Sequence, residues 1–299
     1  MKIIKRSSLL LGFLLTFNGI AQKREVKIIP TKVTDNIYML KGQGGNIGLF
    51  VGKDGAFMID DQFAQLTPKI LKAIKAITDQ PVKYLINTHW HGDHTGGNEN
   101  MSKEGAVIIS HKNVRKRMGM ESVVRGKTRP ASPKEALPVI TFTEDMMVHF
   151  NGEDVLISHV HNAHTDGDAH IYFTKNNVLH MGDTYFQGKY PYIDLSSGGG
   201  IEGYIASAEK ALLMIDDATV VIPGHREISN KKELAAYRDM LVLLRDRVQA
   251  KINEGKSVDE VKNDTSITKE YDDEKYGDWF ITGEGIRETI YKSLIQEKH

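Results

Sequence analysis

The segment "HWHGDH", His89 to His94, puts three histidines and one aspartate within six consecutive positions. Imidazole and carboxylate in that mixture suit Zn²⁺, with Fe or Mn also compatible. A strand sends alternate side chains to one side, so His89 and His91 can share an ion. Gly92, Gly96 and Gly97 let the chain turn tightly, which lets Asp93 and His94 face a second ion. A purely structural cluster would need a hydrogen-bond partner for each buried ring. More ligand types follow at the ends of other apolar runs: His159, His161 and His164 in "SHVHNAHTDGD", His180 and Asp183 in "VLHMGDTYF", and His225 in "VIPGHREIS". The chain has no cysteine, so no thiolate can serve as ligand or nucleophile.

The elements that must position these residues are legible in outline. "NIGLFVGKDGAFMIDD" is two apolar runs around a Gly-Lys-Asp-Gly turn, which predicts a hairpin. "TPKILKAIKAITD" has helical spacing with Pro in the first turn, and "PVKYLINTH" is a strand running into the histidines. "GAVIISHKNVRKRM" predicts a strand and then a basic helix, whose run from Lys112 to Arg117 reads as a solvated face. Residues 121–138 carry three prolines and no periodicity, which predicts a surface loop. A second strand-rich half, from "ITFTEDMMVHF" to "VLHMGD", precedes the helix "IEGYIASAEKALLMI" and the strand "ATVVIPGH". A long helix follows with an Asn start at Asn230 and a Gly stop, then short helices near 258–263 and 284–296. Each half runs from strands to helices, so the expected architecture is α/β, layered, with two mixed sheets packed together and helices on the outer faces.

H-x-H-x-D-H, then Ala-His-Thr, Gly-Asp and Pro-Gly-His, each after an expected strand, resembles the metallo-β-lactamase-fold hydrolase superfamily. The resemblance runs from about Gly44 to His225 and implies an αββα sandwich with metals at one edge. It implies that His89, His91 and His164 hold a first ion and that Asp93, His94 and His225 hold a second. Asp183 would then bridge the two. On residue type alone His161 rivals His164; the "HTDGD" block favours His164. Some true metallo-β-lactamases use cysteine where this chain has Asp183. An aspartate there is closer to thioesterase-like and lactonase-like relatives, and Phe186 stands where those lactamases carry a carboxylate-binding lysine.

That resemblance implies a hydrolase with two zinc ions, whose shared water is lowered in pKa towards neutrality and attacks the carbonyl of a lactam, lactone, ester or thioester. Asp93 would orient that water as the catalytic carboxylate. There is no G-x-S-x-G elbow for a serine route. Asp60, Asp61 and Asp166 are candidates to orient the imidazoles from behind. The Gly- and Tyr-rich stretch 188–200 is expected to wall the cleft, with Lys189, Tyr190, Tyr192, Ser196 and Ser197 as substrate contacts. His170 and His180 read as packed strand residues, His111, His149, His159 and His299 as ordinary core or surface residues, and Trp90 as packing beneath the site or at its rim. Two alternatives share the fold: a one-iron persulfide-dioxygenase-like oxidoreductase and a phosphodiesterase or nuclease. One Fe per chain would favour the first.

Lysine plus arginine equals aspartate plus glutamate at 39 each, so no global basic field exists to hold a nucleic acid, and a small-molecule substrate is expected. "MKIIKR", an interrupted apolar run and "GIAQ" form the three-part pattern of a signal peptide over residues 1–21. The expectation is a periplasmic or secreted protein with no stable membrane span after cleavage. Residues 22–299 would form one domain whose part from about 229 to 299 is helical. Nothing in the sequence fixes the oligomeric state.

Overall fold

Burial at every second position of "EDVLI", before a fully buried end at Ser158 and His159, marks a strand with one face against a core. Many such strands build the molecule. The computed structural model describes residues 25–124 and 127–296; the expected signal peptide and His299 lie outside them.

The first half contains β1 (Ile29–Lys32), β2 (Ile37–Lys41), β3 (Ile47–Gly52), β4 (Gly55–Ile59), helix α1 (Thr67–Lys75), β5 (Val82–Asn87), the short helices α2 (Gly92–Thr95) and α3 (Asn98–Lys103), β6 (Val107–His111) and α4 (Lys112–Met118). A hairpin of β7 (Ser122–Val124) and β8 (Lys127–Arg129) stands where only a loop was expected, and β9 (Ile140–Phe142) follows. The second half contains β10 (Asp145–Phe150), β11 (Glu153–His159), β12 (Ala169–Phe173), β13 (Val178–His180), α5 (Ile201–Met214), β14 (Val220–Ile222), β15 (Ser229–Asn230), α6 (Lys231–Asn253), α7 (Val258–Asn263), α8 (Lys269–Asp273) and α9 (Gly283–Gln296).

One sheet has the order β1-β2-β3-β4-β5-β6-β9 and the other β10-β11-β12-β13-β14-β15. Both are mixed: β4–β5, β5–β6, β6–β9 and β13–β14 pair in parallel and the rest antiparallel. Between the sheets, Ile37, Phe50, Phe57 and Ile86 meet Phe150, Ile157, Ile171 and Phe173 in one buried cluster. Phe50 and Phe173 pack edge to face with centroids 5.2 Å apart, an arrangement aromatic pairs favour. Outside the first sheet, Leu49, Met58 and Leu85 pack on Ile70 and Ile74 of α1. Outside the second, Leu179 and Val221 pack on Tyr204 and Ala208 of α5, with Leu241 of α6 and Ile290 of α9 behind them. This is the expected αββα layering. Among the described residues no helix is long and apolar enough to cross a membrane.

The parallel strands β4, β5, β13 and β14 end on the same edge of the sandwich. Their exits carry Asp60, the His89–His94 turn, Asp183 and His225, and the β11–β12 connection adds His164. Scattered chain positions therefore meet at one rim, where rigid strands aim side chains carried by loops.

Candidate metal centre

The site builds outward from β5. His89 and His91 leave the strand end, and the single turn α2 swings Asp93 and His94 to the other side. His89, His91, His164 and Asp183 then place one ligand atom each within 4.8 Å of one another, and Asp93, His94 and His225 do the same beside them. Asp183 joins the two groups. Its Oδ2 lies 3.8 Å from His89 Nε2 and 3.5 Å from His164 Nε2. Its Oδ1 lies 3.1 Å from His94 Nε2 and 3.3 Å from His225 Nε2. Asp93 Oδ2 is 3.5 Å from His225 Nε2. His161 instead points to the surface, 3.4 Å from Glu144.

Hydrogen bonds on the far side of four of the five rings fix which nitrogen keeps its lone pair. His89 Nδ1 faces Thr88 Oγ1 at 3.0 Å, and that hydroxyl donates its own hydrogen to Asp60 at 2.8 Å. His94 Nδ1 donates to Asp60 Oδ2 at 2.7 Å, His164 Nδ1 to the Tyr192 carbonyl at 2.6 Å, and His91 Nε2 to Asp194 Oδ2 at 3.0 Å. The remaining nitrogens are acceptors aimed inward. His89 Nε2, His94 Nε2 and Asp183 Oδ1 are buried and have no hydrogen-bond partner among the described residues. His91 Nδ1 and His164 Nε2 face each other at 2.8 Å, both without a hydrogen to share. Buried acceptors without donors are costly, and cations between them remove that cost. The donor set of imidazoles and carboxylates fits zinc-type ions.

Charge reinforces the picture. Burial opposes ionisation of Asp183, yet His94 and His225 outweigh it and hold the carboxyl well below its usual range. Burial likewise raises Asp93, but His94 and His225 bring it down to about 2. Burial lowers His89 far below its ordinary value and His164 to about 4, so both rings are neutral. His94 and His225 run the other way: against burial, Asp183 raises both, His225 to about 9. Protons and metal therefore compete for the second group.

Backbone placement is equally specific. A Cβ on Gly45 would fall 2.1 Å from His94 Cε1, and one on Gly224 would fall 2.1 Å from Asp183 Oδ1. Asp60 and Gln62 sit at φ 59° and 57°, the left-handed region, where β4 turns to aim the Asp60 carboxylate. Asn46 donates to the carbonyls of Pro223 and Arg226, each at 3.0 Å, and so clamps the loop carrying His225.

A cavity of about 600 Å³ opens over the ligands. Tyr192, Ser196 and Ser197 line it, as expected. Lys189 does not: it is buried, ion-paired with Asp278, and donates to the Lys275 carbonyl at 2.7 Å. Tyr190 is buried too and donates to Asp272 at 2.9 Å. Of the acids expected behind the ligands, Asp60 reaches one directly. Asp61 accepts from the Gly97 N–H instead, and Asp166 pairs with Arg117. Arg117 was expected on a solvated face, but it lines the cavity. Sequence reasoning missed Asp194, Asn46 and the cavity residues Trp279 and Phe280. Asp194 lies in the stretch 188–200 that was expected to wall the cleft; the others sat in no pattern that signalled them.

The family model of the metallo-beta-lactamase superfamily matches residues 40–225. The chain belongs to that superfamily. It is a metal-dependent hydrolase. Among curated relatives, the hydroxyacylglutathione hydrolase of Pelagibacter ubique (strain HTCC1062) is 25% identical over 72% of this chain and 76% of its own length. Other curated relatives are matched over less of their length, down to 22%. Among solved structures, a metallo-beta-lactamase from Pontibacter korlensis superposes with a TM-score of 0.62 at 18% identity, covering 72% of this chain and 99% of that one. The sec-alkylsulfatase Pisa1 from Pseudomonas sp. superposes with a TM-score of 0.68 at 16% identity, over 89% of this chain and 50% of that one. These structural likenesses are likenesses of fold.

Proposed function

We propose that this superfamily hydrolase works with two zinc ions and cleaves a carbonyl substrate, a thioester or ester first of all. The observation that carries the reading is the Asp183 carboxylate, whose two oxygens face two separate ligand groups. The second group is complete, which supports two ions over the single iron of a dioxygenase-like relative. The bound ions would supply a water of lowered pKa and polarise the carbonyl.

The chain's own residues do the rest. His89, His91 and His164 would hold the first ion as neutral rings, with Thr88, Asp194 and the Tyr192 carbonyl locking their tautomers. Asp93, His94 and His225 would hold the second. Asp93 is held near pKa 2, so it stays ionised and orients a water by accepting its hydrogen bond rather than by storing a proton. The thioester preference draws on the likeness to hydroxyacylglutathione hydrolase and on an aspartate, not a cysteine, at position 183. Phe186 lines the cavity in place of a cationic group, which weighs against β-lactams as the main substrate.

Residues 1–21 are proposed to be cleaved on export, leaving 22–299 as a single periplasmic or secreted domain. The mass of the N-terminal peptide from the exported protein tests this. The activity test is a hydrolysis panel on the zinc-loaded protein: a thioester, an ester, a lactone, a β-lactam and a phosphodiester, each beside Asp183→Asn. Thioester or ester turnover lost in the variant is the expected result. Turnover of the phosphodiester alone would overturn the reading.

A further inference from the structure

Two features of the cavity are not used by the hydrolytic machinery. One is a continuous aromatic arc. Trp279 packs on the ring of His225 with centroids 5.4 Å apart and on Phe186 at 5.8 Å. Phe280 follows Trp279 at 6.1 Å and meets Tyr192 edge-on at 5.4 Å. Tyr192 in turn packs on His91 at 5.8 Å. The arc thus rests at both ends on rings of the two ligand groups. Trp279 and Phe280 keep 39% and 44% of their surface exposed, and both face the cavity. Clustered exposed aromatic surface in a pocket marks a place where apolar groups are covered by a ligand. These residues come from beyond the region matched by the family model. Their segment is fixed in place: Lys189, buried beneath it, is ion-paired with Asp278 and bonded to the Lys275 carbonyl.

The other feature is charge. Arg117 and Arg129 line the cavity. Arg117 is committed to Asp166 through two contacts at 2.6 and 2.8 Å. Arg129 has no carboxylate partner among the described residues. Its guanidinium stands over Gly92, 2.5 Å from where a Cβ would lie, next to Asp93. A guanidinium fork without an acid partner is suited to a carboxylate from outside. Arg129 and the arc come from different parts of the chain.

We propose that the site selects substrates with two handles: an extended apolar acyl group lying on Trp279 and Phe280, and an anionic carboxylate on the leaving group, bound by Arg129. Turnover of such substrates rests on the hydrolase reading; their binding does not. Trp90 and Trp279 are the chain's two tryptophans and both line the cavity, so intrinsic fluorescence reports occupancy directly.

The test uses thioesters of 3-mercaptopropionate and of its neutral amide, with acyl chains from acetyl to decanoyl, together with the matching uncleavable thioethers. For the thioethers, fluorescence titration of the zinc-loaded protein should show binding tightening roughly fourfold per added methylene until the arc is covered. The acid series should bind about tenfold tighter than the amide series. Arg129→Gln should remove the preference for acid and keep the chain-length dependence. Trp279→Ala with Phe280→Ala should flatten the chain-length dependence and keep the acid preference, with Trp90 as the remaining reporter. Each variant thus carries its own proof of folding. Chain-length dependence unchanged in the aromatic variant, or acid preference unchanged in Arg129→Gln, overturns the proposal. Thioether binding as described without thioester turnover overturns the thioester reading of the proposed function and leaves the two-handle site standing.

Discussion

Replacing Asp60 by asparagine tests whether the two ligand groups are held by separate supports. The fully buried carboxylate accepts from the Thr88 N–H at 2.8 Å, the Thr88 hydroxyl at 2.8 Å and His94 Nδ1 at 2.7 Å. An amide cannot satisfy all three. If its oxygen takes the Thr88 N–H, its NH₂ faces His94 Nδ1. His94 must then move its hydrogen to Nε2, where the second ion would bind. If the amide turns over, the Thr88 N–H is left buried and unpaired. Either outcome costs about 1–3 kcal/mol. Expressed at the metal, that is a loss of about 10- to 100-fold in affinity, the usual range for a partner behind a ligand. His89 feels Asp60 only through the Thr88 hydroxyl, so the first ion should weaken far less. The assay is zinc titration against a competing chelator, with His225→Ala identifying which step belongs to the second group. Equal weakening of both steps, or an unchanged second step, would refute the reasoning.

Gly224→Ala should displace the Asp183 carboxylate, lower stability by about 1–3 kcal/mol and abolish the second zinc step, read by melting temperature and metal content. Chelating the metal should lower the melting temperature, since a ligand held at 1,000 times its Kd stabilises by about 4 kcal/mol; an unchanged transition would mean that the lone pairs are satisfied otherwise. Burial lowers His170 from 6.5 to about 3. The unfolded chain therefore takes up a proton that the fold does not. This stabilisation is complete above pH 6.5 and is lost as pH falls towards 3. His170→Gln should make stability less steep over that window, by at most about 1.4 kcal/mol per pH unit, in denaturant titrations at stepped pH. Lys189→Met should loosen residues 275–281 and cost about 1 kcal/mol, because Asp278 is half-exposed and its pair is screened; faster amide exchange confined to that segment is the expected signature.

What could be read from the sequence follows from how local each feature is. His89, His91, Asp93 and His94 sit on one strand end and its turn, so alternation and glycine placement reveal their geometry. His164, Asp183 and His225 are far apart in the chain; each was visible because it follows the end of a strand-like run within a few residues and the order of the blocks matches a family. Layering followed from strands preceding helices in each half. The supports were not visible. Asp194 reaches His91 across 103 residues, and Asn46 reaches the His225 loop across 177 and 180. No local pattern reports such pairings. Lys189 looked like a cleft residue because its neighbours are loop formers, and the acid that buries it lies 89 residues on. Arg117 sits in a basic run that resembles a solvated helix face, yet α4 turns that one residue inward to Asp166. Trp279 and Phe280 follow α8 in a stretch with no periodicity, and only tertiary packing brings them over the site.

The proposed chemistry depends on Asp183 standing between two cations. Anomalous diffraction at the zinc edge from zinc-loaded crystals tests this directly. The account predicts two peaks per chain about 3.5–4 Å apart, one among His89, His91 and His164 and one among Asp93, His94 and His225, with the Asp183 carboxylate touching both. A single peak at full zinc occupancy, or a second peak away from His94 and His225, would contradict it.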